Sequence, residues 1–365
     1  MSVRVLQVLG RSAGGIARHV AQVLEALDGA DGLTVDVACP PDLPIAMPKG
    51  SHDLVIPDGL GGHVGAIRAL RSIVAGNGYT VVHAHGLRAG IDSAFAAKGH
   101  APSITTVHNL VRSEIAGKRA VVDRWAEPLV VRLSDRTLAV SEEIASRLRR
   151  AASSRADKIE VLYLGIGAAP TVRKTRAEVR AELGLGEDRH LAVAVARLAP
   201  QKALTVLFDA IALTAAPVTL AVLGEGPLEE ELRSYVAHIG LNEEVRFLGF
   251  RPDVADVVAA ADVFCLSSIW EGVPLAAQES ILLGTPIVST DVGGMSELIV
   301  DRLSGRLVPP GDATSLAAAI DEVCLSEQIG QAYVARARSD LAERFSTERM
   351  LNRLRELYLG GGRAS

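Results

Sequence analysis

The residues with the most chemical promise stand in the second half of the chain, in Glu271-Gly-Val-Pro-Leu-Ala-Ala-Gln-Glu279, two carboxylates eight positions apart behind the apolar run Val263–Leu266. A carboxylate accepts two hydrogen bonds at once and can grip the diol of a ribose. Pro274 suits the first turn of a helix, where its missing N–H is not needed, so Glu271 should sit just before that helix. Glu279 should lie more than a turn inside, on nearly the same side. An isolated pair of acids reads most simply as two solvated side chains; the neighbours change that. Upstream, Ala196-Arg197-Leu-Ala-Pro-Gln-Lys202 leaves the run Leu191–Ala196 and places two cations where a diphosphate would need them. Leu223-Gly224-Glu-Gly226-Pro and Gly293-Gly294-Met-Ser-Glu297 read as tight turns. Their glycines would let backbone approach a ligand, and a helix N-terminus behind each favours an anion.

The first half offers less specific signals. Gly10-Arg-Ser-Ala-Gly14-Gly15 follows the first apolar strand, and His83-Ala-His85-Gly86 and Thr106-Val-His108-Asn109 close two others. His83 and His85 are read as lying on opposite faces of one strand end, His83 as a packing histidine. His108 ends its strand where a ligand should lie. No Asp-x-Asp occurs in the sequence. A metal-chelating diphosphate site of that kind is therefore not expected, and cations and helix N-termini would have to serve instead.

Positioning these residues falls to alternating strands and helices. The predicted strands of the first half are Val3–Leu9, Val35–Ala38, Leu54–Ile56, Thr80–His83, Ile104–Val107, Thr137–Val140 and Ile159–Tyr163. Those of the second half are Leu191–Ala196, Thr219–Leu223, Val245–Leu248, Val263–Leu266, Pro286–Ser289 and Arg306–Val308. Most are continuous apolar runs, as parallel strands covered on both faces should be. Ile16, Val20, Val23, Leu24 and Leu27 repeat with the helical period, as do Leu204, Leu207, Phe208 and Ile211. Ser141, followed by Glu142 and Glu143, should cap another helix. The βαβα order predicts an α/β chain with two doubly wound parallel sheets, ligands lying at the C-terminal ends of their strands. The first domain is expected over 1–167, with a C-terminal helix in 347–365 crossing back onto it, and the second over 168–346.

Composition bounds the partners. The chain has 365 residues, 48% hydrophobic and 22% charged, which suits a globular protein of two domains. Aromatics at 4% are too few for a base-stacking nucleic-acid binder. Residues 1–160 carry +3 and residues 161–365 carry −8 of the net −5, so neither half is a duplex-binding surface. Cys39, Cys265 and Cys324 are far apart, which argues against a disulfide scaffold or structural zinc. The N-terminus alternates like a strand, and no run approaches the roughly 18 apolar residues of a membrane span. A soluble, cytoplasmic protein is expected. Residues 111–136 mix Arg112, Lys118, Arg119, Arg124, Arg132 and Arg136 with Val121, Val122, Trp125, Leu129 and Val130. Such a helix suits an anionic membrane surface, but four acids dilute its charge, so packing on the sheet is the leading reading and peripheral membrane contact the second.

Taken in order, Arg197/Lys202, Gly224–Gly226, Glu271-x7-Glu279 and Gly293-Gly294-x-x-Glu297 resemble the donor-binding half of the GT4 (glycogen-synthase-like, retaining) glycosyltransferases of GT-B fold. The histidine and glycine segments of the first half resemble the same family more loosely. The resemblance implies two Rossmann-like domains facing a central cleft, and transfer of a sugar from a UDP- or GDP-sugar to a hydroxyl acceptor, such as a cell-envelope glycan or glycolipid. It implies no cofactor and no metal. Glu279 would hold the ribose and Glu271 would contact the donor sugar, with Gly224, Gly226, Pro274 and Leu275 lining the donor. Arg197 and Lys202 would neutralise the departing diphosphate, Gly15 would let the first loop near the phosphates, and His108 would hydrogen-bond the transferred sugar.

Three departures from the family pattern stand out. Ala203 replaces a common glycine, a mild change if that position is helical. Leu164-Gly165-Ile166-Gly167 replaces Asn-Gly-x-Asp, and Pro274 stands where a glycine amide often approaches the sugar. Two other functions compete. One is a nicotinamide-dependent sugar-nucleotide epimerase or dehydrogenase, prompted by the first glycine loop but lacking G-x-G-x-x-G and Tyr-x-x-x-Lys. The other is a non-catalytic nucleotide-sugar-binding protein.

Overall fold

The computed structural model describes residues 3–11, 15–43, 48–57, 59, 61–110 and 118–361, the side chains of 118–124 excepted. The chain divides into two units, Met1–Gly165 with Ser346–Ser365, and Ile166–Phe345.

In the first unit the strands are β1 (Val3–Leu9), β2 (Leu33–Cys39), β3 (His52–Asp53), β4 (Val81–His85), β5 (Ser103–Val107), β6 (Arg136–Ala139) and β7 (Ile159–Val161). They form one parallel sheet in the order β3-β2-β1-β4-β5-β6-β7. In the second unit β8 (His190–Val195), β9 (Val218–Leu223), β10 (Val245–Gly249), β11 (Val263–Leu266), β12 (Ile287–Thr290) and β13 (Arg306–Val308) form another parallel sheet, ordered β10-β9-β8-β11-β12-β13. Strand order reverses between β1 and β4 in one sheet and between β8 and β11 in the other. At such a reversal the crossover helices diverge to opposite faces, leaving a crevice beyond the strand ends.

The doubly wound α/β architecture is the predicted one. The apolar runs became strands because both faces are covered: Val81, Val82 and Ala84 of β4, and Leu220, Ala221 and Val222 of β9, are all fully buried. The helix Leu204–Leu213 buries Leu204, Leu207, Phe208 and Ile211 in the core of the second unit, the stripe read from its period. Ser141 caps its helix by accepting a hydrogen bond from the Ile144 amide at 3.2 Å, with Glu142 and Glu143 in the first turn.

Several strand ends differ from the reading by a residue or two, as where β7 stops at Val161 rather than Tyr163, and two strands differ in ways that change the description. The third strand pairs at His52–Asp53 rather than Leu54–Ile56, because only Ala38 and Cys39 of β2 offer it a register. Leu54 and Ile56 are buried beyond its end, the Leu54 amide still donating to the Cys39 carbonyl at 2.9 Å. The fourth strand runs on through His85 instead of ending at His83.

Candidate functional site

The loops beyond β8 and β11, at the reversal point of the second sheet, hold the charged part of the site. Lys202 ends a single 3-10 turn, Pro200–Lys202, and its Nζ donates to Glu271 Oε1 at 2.5 Å. Ser268 Oγ donates to the same carboxylate oxygen at 2.6 Å. The pair is well buried, with 16% and 7% of the two side chains exposed. Backbone contacts fix it from below. Ser267 Oγ donates to the Lys202 carbonyl at 2.8 Å, the Ile269 amide to the Gln201 carbonyl at 2.8 Å, and Gln201 Nε2 to the Trp270 carbonyl at 2.8 Å. A lysine and a glutamate 69 positions apart are thus brought together, with neutral bonds holding the backbone on either side.

The remaining second-half residues sort as follows. Arg197 is exposed just beyond β8. Glu279 is half-buried on the helix Leu275–Leu283. Pro274 does not occupy the first turn as expected: with ψ at 128° it is the residue before the helix, and its carbonyl accepts from the Ala277 and Gln278 amides. Ala203 is not helical either. Its φ of 42° and ψ of 46° are left-handed, the conformation for which a glycine would be chosen.

The glycine turns serve the protein's own backbone. A Cβ at Gly224 would stand 2.1 Å from the Ala196 carbonyl oxygen, and one at Gly226 would stand 2.3 Å from that of Leu198. Both glycines let the turn after β9 lie against the segment carrying Arg197, where the Leu198 amide donates to the Glu225 carbonyl at 3.0 Å. Gly293 does the same for the acidic loop, since its Cβ would stand 1.9 Å from the Glu271 carbonyl oxygen. The helix behind Gly226, where an anion was expected, begins with acidic residues of its own. Glu229, Glu230 and Glu231 fill that helix's first turn and already complement its positive end.

In the first unit the same strand-end position is occupied by imidazoles. His19, His83, His85 and His108 are all buried. His83 and His85 share a face, their ring centroids 4.5 Å apart, because residues two apart on a continuing strand point the same way. His85 Nδ1 lies 3.0 Å from His108 Nε2, and His85 Nε2 lies 2.7 Å from Gln7 Oε1. Gln7 Nε2 donates to Tyr358 Oη at 2.9 Å; that hydroxyl lies 2.7 Å from His83 Nδ1, and His83 Nε2 lies 2.7 Å from Thr106 Oγ1. His19 packs edge-on to the rings of His85 and His108, and among the described residues neither of its ring nitrogens has a hydrogen-bond partner. Burial pushes His19 down to about 4 and His83 to about 3, and His85 and His108 well below the ordinary histidine range. All four rings are therefore neutral at pH 7.

Gln7, Tyr358, Ser267 and Ser268 escaped the sequence reading. Gln7 carried one signal, an amide set among the apolar residues Val5, Leu6, Val8 and Leu9. Tyr358 carried none, since its partner Gln7 is 351 positions away. Gly15 is exposed at the start of the helix Gly15–Leu27, while Gly14 lies outside the described residues. Of the basic segment, 111–117 and the side chains of 118–124 also lie outside them; Trp125 is 74% exposed and Val130 is buried. Among the described residues, no three His, Cys, Asp or Glu side chains are grouped to hold a metal ion, and no helix is long and apolar enough to cross a membrane.

Comparison with known proteins agrees with this architecture. The model of the glycosyl transferases group 1 matches residues 175–340, and that of Glycosyltransferase Family 4 matches residues 13–169. A D-inositol 3-phosphate glycosyltransferase of Kribbella flavida is 30% identical over 285 residues, 71% of this chain and 67% of that protein. The UDP-Gal:alpha-D-GlcNAc-diphosphoundecaprenol alpha-1,3-galactosyltransferase of Escherichia coli is 26% identical over 293 residues, 77% of this chain and 75% of that protein. Among solved structures, sucrose-phosphate synthase of Thermosynechococcus elongatus superposes with a TM-score of 0.85 at 22% identity, covering 98% of both chains. HepE of Anabaena in complex with UDP and glucose gives 0.84 at 21%, covering 98% of this chain and 100% of that one. With both units matched by their family models and the doubly wound sheets shared with these neighbours, the chain belongs to the GT4-type glycosyltransferases of GT-B fold.

Proposed function

We propose that the protein is a retaining glycosyltransferase that moves a sugar from a nucleotide-sugar donor to a hydroxyl acceptor of a cell-envelope glycan or glycolipid, working without a metal. The observation that carries this reading is the buried Lys202–Glu271 pair at the reversal point of the second sheet. The reaction breaks the bond from the anomeric carbon to the diphosphate and makes one to the acceptor oxygen, whose proton departs. Negative charge grows on the diphosphate, and fixed cations aimed at such charge are usually the largest catalytic term. Lys202 would turn from Glu271 to that phosphate, with Arg197 beside it, and Glu271 would be released to the hydroxyls of the donor sugar. Glu279 would hold the ribose, Pro274 and Leu275 would line the donor, and His108 would hydrogen-bond the transferred sugar. A uracil base is favoured over guanine, since the galactosyltransferase relative is named for a UDP-sugar and HepE was solved with UDP.

A panel of UDP- and GDP-sugars, scored by thermal shift and by slow donor hydrolysis with and without EDTA, tests the assignment. Stabilisation by a UDP-sugar, EDTA-insensitive hydrolysis, and about tenfold weaker UDP binding in Glu279→Ala are expected. Binding without turnover toward any acceptor would point to the non-catalytic reading, and a bound nicotinamide absorbance to the epimerase. Peripheral membrane contact rests on Trp125 and Leu129, exposed one turn apart beside Arg132. Co-sedimentation with vesicles of anionic lipid at low salt is expected, and its absence removes that part.

A further inference from the structure

The polar chain in the first unit has a direction. An imidazole nitrogen facing an amide oxygen must carry the proton, so His85 Nε2, 2.7 Å from Gln7 Oε1, is the donor. A neutral ring has one proton, which leaves His85 Nδ1 as an acceptor. His108 Nε2, 3.0 Å away, must then donate to it. On the far side Gln7 Nε2 donates to Tyr358 Oη, whose proton is free for His83 Nδ1, and His83 Nε2 donates to Thr106 Oγ1. Every bond in the chain then runs with one polarity, and no ring carries a charge. The last link is His108, 8% exposed, whose Nδ1 has no partner among the described residues.

Tyr358 anchors this order from a distant part of the chain. It is fully buried on the helix Thr347–Leu359, which is tied to its unit by a bidentate pair: Arg353 Nε and Nη2 donate to the two oxygens of Glu160 at 2.6 and 2.9 Å. Gln7 lies on β1, with its side chain fully buried between Tyr358 and His85. The Gln7 amide accepts from His85 on one side and donates to Tyr358 on the other, and so converts the tyrosine's position into a choice of histidine tautomer.

We propose that Tyr358, Gln7 and His85 form a positioning relay that holds His108 as the Nε2–H tautomer, presenting Nδ1 as a neutral hydrogen-bond acceptor that selects a sugar bearing a hydroxyl, and not a carboxylate, at that point. A lone pair facing a carboxylate finds no proton to accept and repels the charge; facing a hydroxyl it gains a bond. The selection clause rests on the proposed role of His108 at the transferred sugar. The relay itself does not.

The test begins with the intact protein labelled with 15N-histidine, without ligand, at pH 7.5. Long-range 1H–15N spectra, assigned with His108→Gln, should show His108 and His85 both protonated at Nε2. A proton on His108 Nδ1 overturns the relay whatever the donor. In Gln7→Leu the His108 signals should move to a mixture of tautomers, and kcat for donor hydrolysis should fall about tenfold with KM changed less than twofold. An unchanged tautomer in a folded Gln7→Leu also overturns the relay. UDP-glucose should then bind the wild-type protein at least tenfold more tightly than UDP-glucuronate, and parity overturns the selection. If neither UDP-sugar binds while the tautomer is as stated, the donor reading fails and the relay is upheld.

Discussion

At the ends of β8 and β11 a lysine and a glutamate face each other with full charges, whereas at the ends of β1, β4 and β5 four imidazoles are packed together without any. The two sheets share topology and both reverse strand order at the same place, so the fold did not dictate the contrast. The charged pair keeps some solvent, and its carboxylate is matched by a cation and a serine hydroxyl. The imidazoles are buried and, among the described residues, have one another, an amide and two hydroxyls as partners, so each extra proton would stand uncompensated. One end holds opposite charges that the proposed donor diphosphate would separate; the other holds neutral hydrogen bonds, with the one direction proposed above.

The contrast can be broken most forcefully at Lys202. Lys202→Ala should lower kcat by about 10²–10³, the scale for losing one preorganised group at developing charge, with a smaller loss in donor affinity. Steady-state kinetics with the best donor of the panel checks this. Equal loss in kcat and in ground-state binding would make the lysine a tether, and the two regions less different than drawn.

Acid should break the neutral end first. Unfolded, a histidine takes up its proton near 6.5, while burial holds native His19 down to about 4. Between those values the unfolded chain binds the additional proton, so stability is full above 6.5 and is lost as pH falls toward 4. His19 alone accounts for about 3 kcal/mol of that loss. His19→Leu should flatten the pH dependence of urea midpoints between pH 7 and 5, and should also stabilise at pH 7 by removing two ring nitrogens that are unpaired among the described residues. The same slope in both proteins would place the acid sensitivity elsewhere.

Gly293→Ala sharpens the comparison from the charged side. The added methyl would strike the Glu271 carbonyl at a residue whose φ is 61°. About 2 kcal/mol of destabilisation is expected, with a drop in turnover and unchanged histidine spectra. Ala203→Gly is the smallest change. Left-handed backbone costs an ordinary residue roughly 1–2 kcal/mol, and glycine's extra freedom when unfolded offsets roughly 0.5–1 of it. A net gain of about 0.5 kcal/mol in urea melts should result.

Much of this site was legible along the chain, for physical reasons that differ by residue. Lys202 and Glu271 could be found because each follows a buried strand, and strand ends beside a reversal gather in space. Gly224, Gly226 and Gly293 could be marked as sites of close approach but not assigned a neighbour. A missing Cβ records that something comes near, and here the visitor is the chain's own backbone. The shared face of His83 and His85 was missed because the strand seemed to end two residues early; hydrogen bonds from β5 carry it on. Local pattern cannot show where pairing stops.

What the sequence determined by itself is the alternation of apolar runs and helical stripes, and with it two doubly wound sheets and the loops at their ends, since burial on both faces writes itself into consecutive residues. What only the tertiary structure decided is which polar groups meet. Gln7 and Tyr358 are joined across 351 positions, and a hydrogen bond leaves no periodic trace in either segment. Direction of donation, and hence the protonation of each ring, belongs to the assembled network and to no residue within it.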